Sequence, residues 1–516
     1  MRVELCTLSL SRHVPLALGF LKAYAIADPE LKERWDMRIT DLRRGDDRST
    51  WLNAILAEPP DIVCFSCYVW NIVETLELVS RIKEAHPNVF VLLGGPEAAP
   101  RADELTAQYA DGVAIGEGEG VFADVLKAFL HKGGDVSGIA GLTHRGARGV
   151  IRGISREPIA RLDSVPSPYR PDILDVSDGR IPCLETHRGC GFACHFCFYH
   201  KSYGPSRYFS KERVREELKR LTEASPCELI YLMDPTFNEN RAHAKDVCRL
   251  IIEGGYKRNF HAEVRADLLD EELAALMKRA NVAYLEIGLQ SATGSALDEV
   301  QRGGNRKRFI EGMRLLNAYE FNYVLHLIFG LPEETFEDFL KSVRCAIGFR
   351  PPVLQIFLLE LLPGTGLRER SEELGIRFRR EPFYLMTENK QLSEADVIRG
   401  RWVSAAVDLF YNQMPRTAAR LLDGSGEDIV DLALALSDWV HAEGRQRYAP
   451  EDYFAVLSED AAVEFTGLKA SARGFDAEEI MREARAEIIR PTLYNDLFNP
   501  QNLPASSSRE AVSVGG

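Results

Sequence analysis

Glu185-Thr-His-Arg-Gly-Cys-Gly-Phe-Ala-Cys-His-Phe-Cys-Phe198 carries three cysteines, Cys190, Cys194 and Cys197, in the spacing C-x3-C-x2-C. Thiolates are soft ligands, and three so close together suit an iron–sulfur cluster. A 4Fe-4S cluster held by three local thiolates keeps one iron open to a substrate or cofactor. Gly189 and Gly191 let the backbone turn tightly around such a core. Phe196 and Phe198 would screen it from water, which tunes a cluster's potential. A zinc site stays open at this point, because zinc asks for a fourth ligand and His187, His195 and His200 are near in sequence.

The rest of the composition bounds the answer. A chain of 516 residues has room for several domains of roughly 100–200 residues. Its 45% apolar and 27% charged content is ordinary for a soluble globular protein. A net charge of −14 disfavours a nucleic-acid polymer as the main partner. Ten cysteines in so long a chain are not a secreted disulfide scaffold, and an oxygen-sensitive cluster argues for the cytoplasm. The first ten residues read as a strand without a signal-peptide pattern. With no uncharged apolar run of about 18 residues, no membrane span is expected.

Residues 1–145 alternate strand and helix. Val3–Leu10, Asp36–Leu42, Asp61–Cys67, Val89–Leu93 and Gly112–Ile115 read as strands, with helices over Pro15–Ala27, Ile72–Ala85 and Glu119–Leu130. That order predicts a doubly wound, Rossmann-like α/β domain whose ligand lies beyond the carboxyl ends of the strands. Those ends read Ser66-Cys-Tyr-Val-Trp-Asn71, Gly94-Gly-Pro-Glu97 and Gly116-Glu-Gly-Glu119. Their glycines either admit a bulky ligand or are plain turn residues. Cys64 and Cys67 should point to opposite faces of their strand and so are packing residues, not a redox pair. Residues 146–180 form a connector rich in proline and turn formers. Over 181–375 the alternation resumes, with strands Leu229–Met233, Asn259–Val264, Ala283–Ile287, Tyr323–Phe329 and Leu354–Leu359 after the one entering the cysteine loop. That predicts a partial (β/α)6 barrel of TIM type, with its site at the strand C-termini. Residues 376–498 have helical periodicity and read as a mainly helical C-terminal domain. Residues 499–516 read as a disordered tail.

The cysteine triplet, with aromatic Phe196 just before its third member, resembles the radical S-adenosylmethionine (radical SAM) superfamily. The three strand-end motifs, in that order, resemble the cobalamin-binding domain that precedes many radical SAM domains. The first resemblance implies a 4Fe-4S cluster on Cys190, Cys194 and Cys197. Its open iron would chelate S-adenosyl-L-methionine (SAM), which one electron splits into methionine and a 5′-deoxyadenosyl radical. It also implies SAM contacts from Asp234 to the amino group, and from Glu263 and Arg265 to the ribose and carboxylate. Arginine is the better carboxylate clamp of the two. Gln290 and Ser291 would face ribose or methionine, and Gly330 the adenine. Each has a plain reading as an ion pair or cap, above all Glu333 and Glu334 just ahead of a helix.

The second resemblance implies a cobalamin cradle of Ser66, Tyr68, Trp70, Gly94, Gly95, Gly116 and Glu117. No Asp-x-His-x-x-Gly occurs, and His13, His86, His131 and His144 have other neighbours, so no histidine below cobalt is implied. Together the resemblances imply a cobalamin-dependent C-methyltransferase acting on an unactivated carbon of a small metabolite or peptide. An electron donor such as flavodoxin or ferredoxin would serve it. The alternative enzyme is a rearrangement, cyclisation or ring contraction with the same cofactors. The alternative outside enzymes is a sensor that holds a cluster and a tetrapyrrole.

Overall fold

The computed structural model describes residues 1–9, 12–43, 47–442 and 459–488; the expected disordered tail, 499–516, lies outside the described residues. Among them, Met1–Pro351 and Gln355–Arg401 form one compact unit, and Pro352–Leu354 with Trp402 onward a second.

The first unit holds two large sheets. One has seven strands in the order β2-β1-β3-β4-β5-β6-β7: β1 Arg2–Ser9, β2 Asp36–Arg43, β3 Ile62–Ser66, β4 Phe90–Gly94, β5 Gly112–Ala114, β6 Leu142–Gly146 and β7 Gly149–Arg152. The first five pair in parallel and the last two antiparallel. β3 is buried throughout, as a strand covered by helices on both faces must be. Val3, Leu5, Ile62 and Cys64 pack on one side with Leu18 and Phe122. Cys6, Leu8, Phe65 and Cys67 pack on the other with Leu52 and Leu78. Cys64 and Cys67 thus lie in different cores.

The order β2-β1-β3-β4-β5 reverses direction between β1 and β3, where the ligand crevice of such sheets opens. Asn71 fastens that point. Its Nδ2 donates to Leu8 O at 3.2 Å and Ser66 O at 3.1 Å, and its Oδ1 accepts from Tyr68 N at 2.8 Å. The β6–β7 hairpin was not foreseen and carries the sheet into the stretch expected as a connector. β7 is almost wholly solvent-facing, so it lacks the apolar pattern that marks a strand in sequence.

The second sheet has six strands that follow one another in space as in sequence: β8 Cys183–Leu184, β11 Leu229–Leu232, β12 Asn259–Val264, β13 Val282–Gln290, β14 Asn322–Phe329 and β15 Val353–Leu358. Between β8 and β11, the short β9 His187–Arg188 and β10 Arg207–Tyr208 pair antiparallel at the two ends of the cysteine loop. From β8 to β14 the pairing within the sheet is parallel. Helices follow the strands, among them Arg241–Gly254, Glu271–Arg279, Arg306–Ala318 and Phe336–Gly348. Sequential parallel strands with return helices build an open βα barrel. Along each strand, residues such as Phe260, Ala262, Leu285, Ile287, Leu325 and Leu327 are fully buried under the helices. Glu263, Glu286, Gly288, Gln290 and His326 alternate with them and are only half-buried. The period of two assigns this second set to the lumen.

The free edge of β8 is covered from the first sheet. His13 bridges Ile181 in parallel, with Val14 N donating to Ile181 O at 3.1 Å and Ile181 N to Arg12 O at 2.9 Å. The His13 ring then lies 5.2 Å from that of Tyr231. The small pair β16 Arg377–Phe378 and β17 Met386–Glu388 also belongs to the first unit, so the second unit starts later than residue 376.

In the second unit Pro415–Leu422, Ile429–Ala442, Glu459–Ala472 and Ala477–Ile488 are helices. Glu487 accepts from Thr417 N at 2.9 Å and Arg416 Nε at 2.7 Å, and Trp439 packs on Phe465 at 5.7 Å. No helix among the described residues is long and apolar enough to cross a membrane.

Candidate active site

Cys190, Cys194 and Cys197 sit on the loop between β9 and β10. Gly189 enters it with φ +92°, and a Cβ there would stand 2.5 Å from Pro205 O. Only glycine lets the incoming and outgoing backbone pass this closely. Cys197 N donates to Cys194 O at 3.0 Å. The thiols feel one another. Burial pushes the Cys197 thiol up to about 11, with Cys194 and Cys190 adding to it. Burial likewise raises Cys190, with Glu239 and Cys194 contributing. Three thiols gathered in one loop fit a multi-iron cluster, whose ligation must displace their protons. The histidines are drawn elsewhere. His187 Nδ1 lies 3.5 Å from Asp234 Oδ1, and the His195 ring packs against Gly366. Among the described residues, no three His, Cys, Asp or Glu side chains gather as a single metal ion would require.

Around this loop several polar residues hold partners within the chain. Asp234 is fully buried. Its Oδ1 accepts from Thr186 N at 2.7 Å and His187 N at 3.0 Å, and its Oδ2 from Thr186 Oγ1 at 2.6 Å. Burial pushes its carboxyl up, but His187 and Thr186 outweigh that and hold it below its ordinary value. Both oxygens serve the strand entering the cysteine loop. Arg265 is likewise engaged. Its Nε and Nη2 clamp Asp267 at 3.0 and 2.9 Å, and its guanidinium lies 4.1 Å above the Phe192 ring. Only Nη1 is buried without a hydrogen-bond partner, so a bidentate grip on a second carboxylate is not on offer.

Ser291 is fully buried. Its Oγ donates to Glu334 Oε1 at 2.5 Å and accepts from Thr293 N at 2.9 Å. Glu334 is pushed up to about 7 by burial. Neither it nor Glu333 caps the following helix, which has a Thr335–Asp338 capping box. Gly330 is covered by Met386, and its carbonyl accepts from Asn389 Nδ2 at 3.2 Å. Gln290, at φ +66°, ends β13 with its Oε1 lacking a hydrogen-bond partner. Glu263 accepts from the Tyr231 hydroxyl at 3.2 Å.

Two residues at the loop were missed. Glu239 Oε1 accepts from Gly191 N at 3.1 Å and Ser206 Oγ at 2.7 Å, while Oε2 is buried and unpartnered. Arg302 donates to Gly288 O at 3.0 Å and reaches Cys194 Sγ at 4.0 Å. Charged residues in turns ordinarily read as surface, so sequence carried no signal for either.

At the edge of the first sheet, Tyr68 and Trp70 stack with centroids 4.5 Å apart and planes within 6°. Trp70 is 39% exposed, which leaves an aromatic surface open. Gly94 and Gly116 have room: the nearest atoms a Cβ would meet are Ala114 Cβ and Ser202 O, each at 3.8 Å. Gly95 does not, since a Cβ there would stand 2.6 Å from Cys67 O at φ +99°. It serves a close backbone approach. Ser66 offers its carbonyl to Asn71, as described. Glu117 is spent on Arg188 at 3.2 Å and Arg207 at 3.0 Å. Arg188 also pairs with Glu119 and Glu185, both at 2.8 Å. Glu117 therefore ties the first sheet to the cysteine loop. A cavity of about 990 Å³ runs from Ile115 and Gly116 past Arg101 and Arg156 to Phe198 and Arg368. Of the strand-end residues Gly116 lines this cavity, and Tyr68, Trp70 and Gly94 do not.

The radical SAM superfamily model matches residues 184–346, and the B12 binding domain model residues 21–126. An uncharacterized methyltransferase of Pyrococcus horikoshii is 28% identical over 69% of this chain and 78% of its own length. The cobalamin-dependent radical SAM methyltransferase TokK of Streptomyces tokunonensis is 25% identical over 70% of this chain, which spans 56% of that protein. Among solved structures, the radical SAM methyltransferase TsrM from Kitasatospora setae, with cobalamin and a [4Fe-4S] cluster bound, superposes at TM-score 0.64. It is 20% identical over 94% of this chain and 99% of its own, a likeness of fold.

Proposed function

We propose that this chain, a radical SAM enzyme whose barrel follows a B12 binding domain, transfers a methyl group to an unactivated carbon of a small metabolite or peptide. The observation that carries the reading is the Arg188 tie. Arg188 stands two residues before Cys190 and pairs with Glu117 and Glu119 at the carboxyl edge of the first sheet. A methyl donor held at one edge and a radical source held at the other have to meet one substrate, and this tie supports that.

Cys190, Cys194 and Cys197 would hold the 4Fe-4S cluster. Arg265 Nη1, Glu263 and Gln290 remain available to SAM. Tyr68, Trp70, Gly94 and Gly116 would line cobalamin. When bound, cluster and SAM supply a hydrogen-abstracting radical, and cobalamin a transferable methyl group. The chain's own residues do the positioning. Asp234 fixes the strand that leads into the cysteine loop, and Arg188 holds that loop against the first sheet. The apolar residues beneath the barrel helices keep the strands rigid, and the lumen between them orients the substrate. Holding reactants in one geometry is where such a scaffold contributes most. An electron donor such as flavodoxin or ferredoxin completes the cycle.

A second reading, cyclisation, is favoured by one relative. The anaerobic magnesium-protoporphyrin IX monomethyl ester cyclase of Cereibacter sphaeroides is 24% identical over 60% of this chain. Anaerobic turnover with methyl-labelled SAM separates the two. Methyl transfer puts label in product and forms S-adenosylhomocysteine beside 5′-deoxyadenosine. Unlabelled product with 5′-deoxyadenosine alone would replace it with cyclisation.

A further inference from the structure

Glu263 on β12 and Glu286 on β13 are register partners on adjacent parallel strands. Both belong to the half-buried set that alternates with the core, so both face the lumen. Like charges directly opposite on neighbouring strands repel, and the surroundings offset this only in part. Glu286 has His261, whose Nε2 lies 3.1 Å from Oε1. Glu263 has the Tyr231 hydroxyl at 3.2 Å. The groups that act on the pair from the elements around it are His13, Cys197, Tyr231, His261 and His326, with neither a lysine nor an arginine among them. Glu286 keeps 22% of its side chain exposed although it sits mid-strand in the barrel, so that exposure is to the lumen.

The electrostatics agree with the geometry. Burial and the facing Glu286 push Glu263 up to about 8. Burial also pushes Glu286 up, but His261, His326 and His13 together hold it below its ordinary value. At neutral pH Glu263 thus keeps its proton while Glu286 is ionised.

We propose that Glu263 and Glu286 form a cation subsite of the barrel lumen, which takes a positively charged group of a bound ligand. Two sources carry that chemistry: the sulfonium or ammonium of SAM, and a protonated amine of the substrate. The subsite rests on the proposed function for the presence of SAM, but not on methyl transfer. It also sets the substrate class, since a carboxylate or phosphate at this depth would meet two acids.

The test uses the loaded enzyme and its Glu286→Gln variant, isosteric and neutral, with Glu263→Gln as the second variant. Iron and cobalamin contents are matched to the parent before binding is measured. The probes are SAM, S-adenosylhomocysteine (which lacks the sulfonium charge), n-butylamine and butanoate. Glu286→Gln should weaken at least one cation about tenfold, roughly 1.4 kcal/mol; S-adenosylhomocysteine, which keeps the ammonium, stays within about twofold if the sulfonium is the bound charge and falls alongside SAM if the ammonium is. Loss of SAM affinity, with or without S-adenosylhomocysteine, while n-butylamine is unchanged assigns the subsite to SAM. Loss confined to n-butylamine assigns it to a substrate amine. Unchanged affinity for both cations in both variants, or butanoate binding the parent as well as n-butylamine does, overturns the proposal. Should the parent bind these cations as expected yet label no product, the methyl-transfer reading fails and the subsite stands.

Discussion

Arg188 Nη1 lies 2.8 Å from Glu119 Oε1, and the two residues are only 3% and 4% exposed. A buried ion pair adds little net stability, but removing one partner strands the other charge. Arg188→Met would strand Glu119 and Glu185 and leave Glu117 to Arg207. It should cost about 3–5 kcal/mol in urea unfolding and reduce iron loading, because the cysteine loop loses its anchor. Unfolding and iron content both equal to the parent would show that the tie holds nothing.

Cys194→Ala should abolish the iron absorbance and the formation of 5′-deoxyadenosine while cobalamin binding persists. The thiol stands on the cysteine loop, whereas the open glycines Gly94 and Gly116 end strands of the other sheet. Iron analysis and the visible spectrum of the reconstituted variant check this. A variant that keeps both cluster and SAM cleavage would end the cluster assignment.

Arg265→Ala should weaken SAM by no more than one charged hydrogen bond, about tenfold to a hundredfold. Only Nη1 is unengaged. The same change should destabilise the ligand-free protein, which loses the Asp267 clamp and the Phe192 contact. Equilibrium dialysis with SAM and thermal unfolding separate these effects. A far larger loss of SAM affinity with unchanged unfolding would mean that Asp267 releases the guanidinium.

Glu334 lies at about 7, above its ordinary 4.5. Between those values the folded chain holds a proton that the unfolded chain does not. Stability therefore falls as pH rises from about 4.5 to about 7, then levels off. Glu334→Gln should remove most of that fall, up to about 3 kcal/mol, and so should gain on the parent at pH 8 relative to pH 5. Parallel unfolding curves at the two values would refute it.

Trp70→Ala should lower cobalamin affinity, and cobalt(II) in the parent should show no nitrogen superhyperfine splitting in its electron paramagnetic resonance spectrum. His13, next along the chain after β1, turns its ring to Tyr231 in the barrel and so away from the first sheet's carboxyl edge. Splitting from a nitrogen ligand would contradict this.

The parallel strands of both sheets were legible because they alternate with amphipathic helices, a local pattern, whereas solvent-facing β7 was not. The cysteine loop was legible because ligand spacing is local too. Asp234 and Ser291 were not, because a polar side chain at a strand end has the same identity whether it meets a ligand or a backbone amide. Their engagement with Thr186 and Glu334 depends on contacts 48 and 43 residues away in sequence. Glu286 went unnoticed for a related reason. Only the register between two strands sets it opposite Glu263, and register between parallel strands is not written in either strand alone.

The backbone pairing of His13 with Ile181 makes the two halves of the first unit poor candidates for exchange as cassettes. A shortened chain beginning at Ile181 would bare the outer edge of β8, and bare edges invite association with other chains. It would also open a hole where the His13 ring fills the barrel wall. A chimera that grafts a relative's first domain onto this barrel would have to bring residues 12–14 in matching register, or accept an enzyme whose lumen leaks water at its floor.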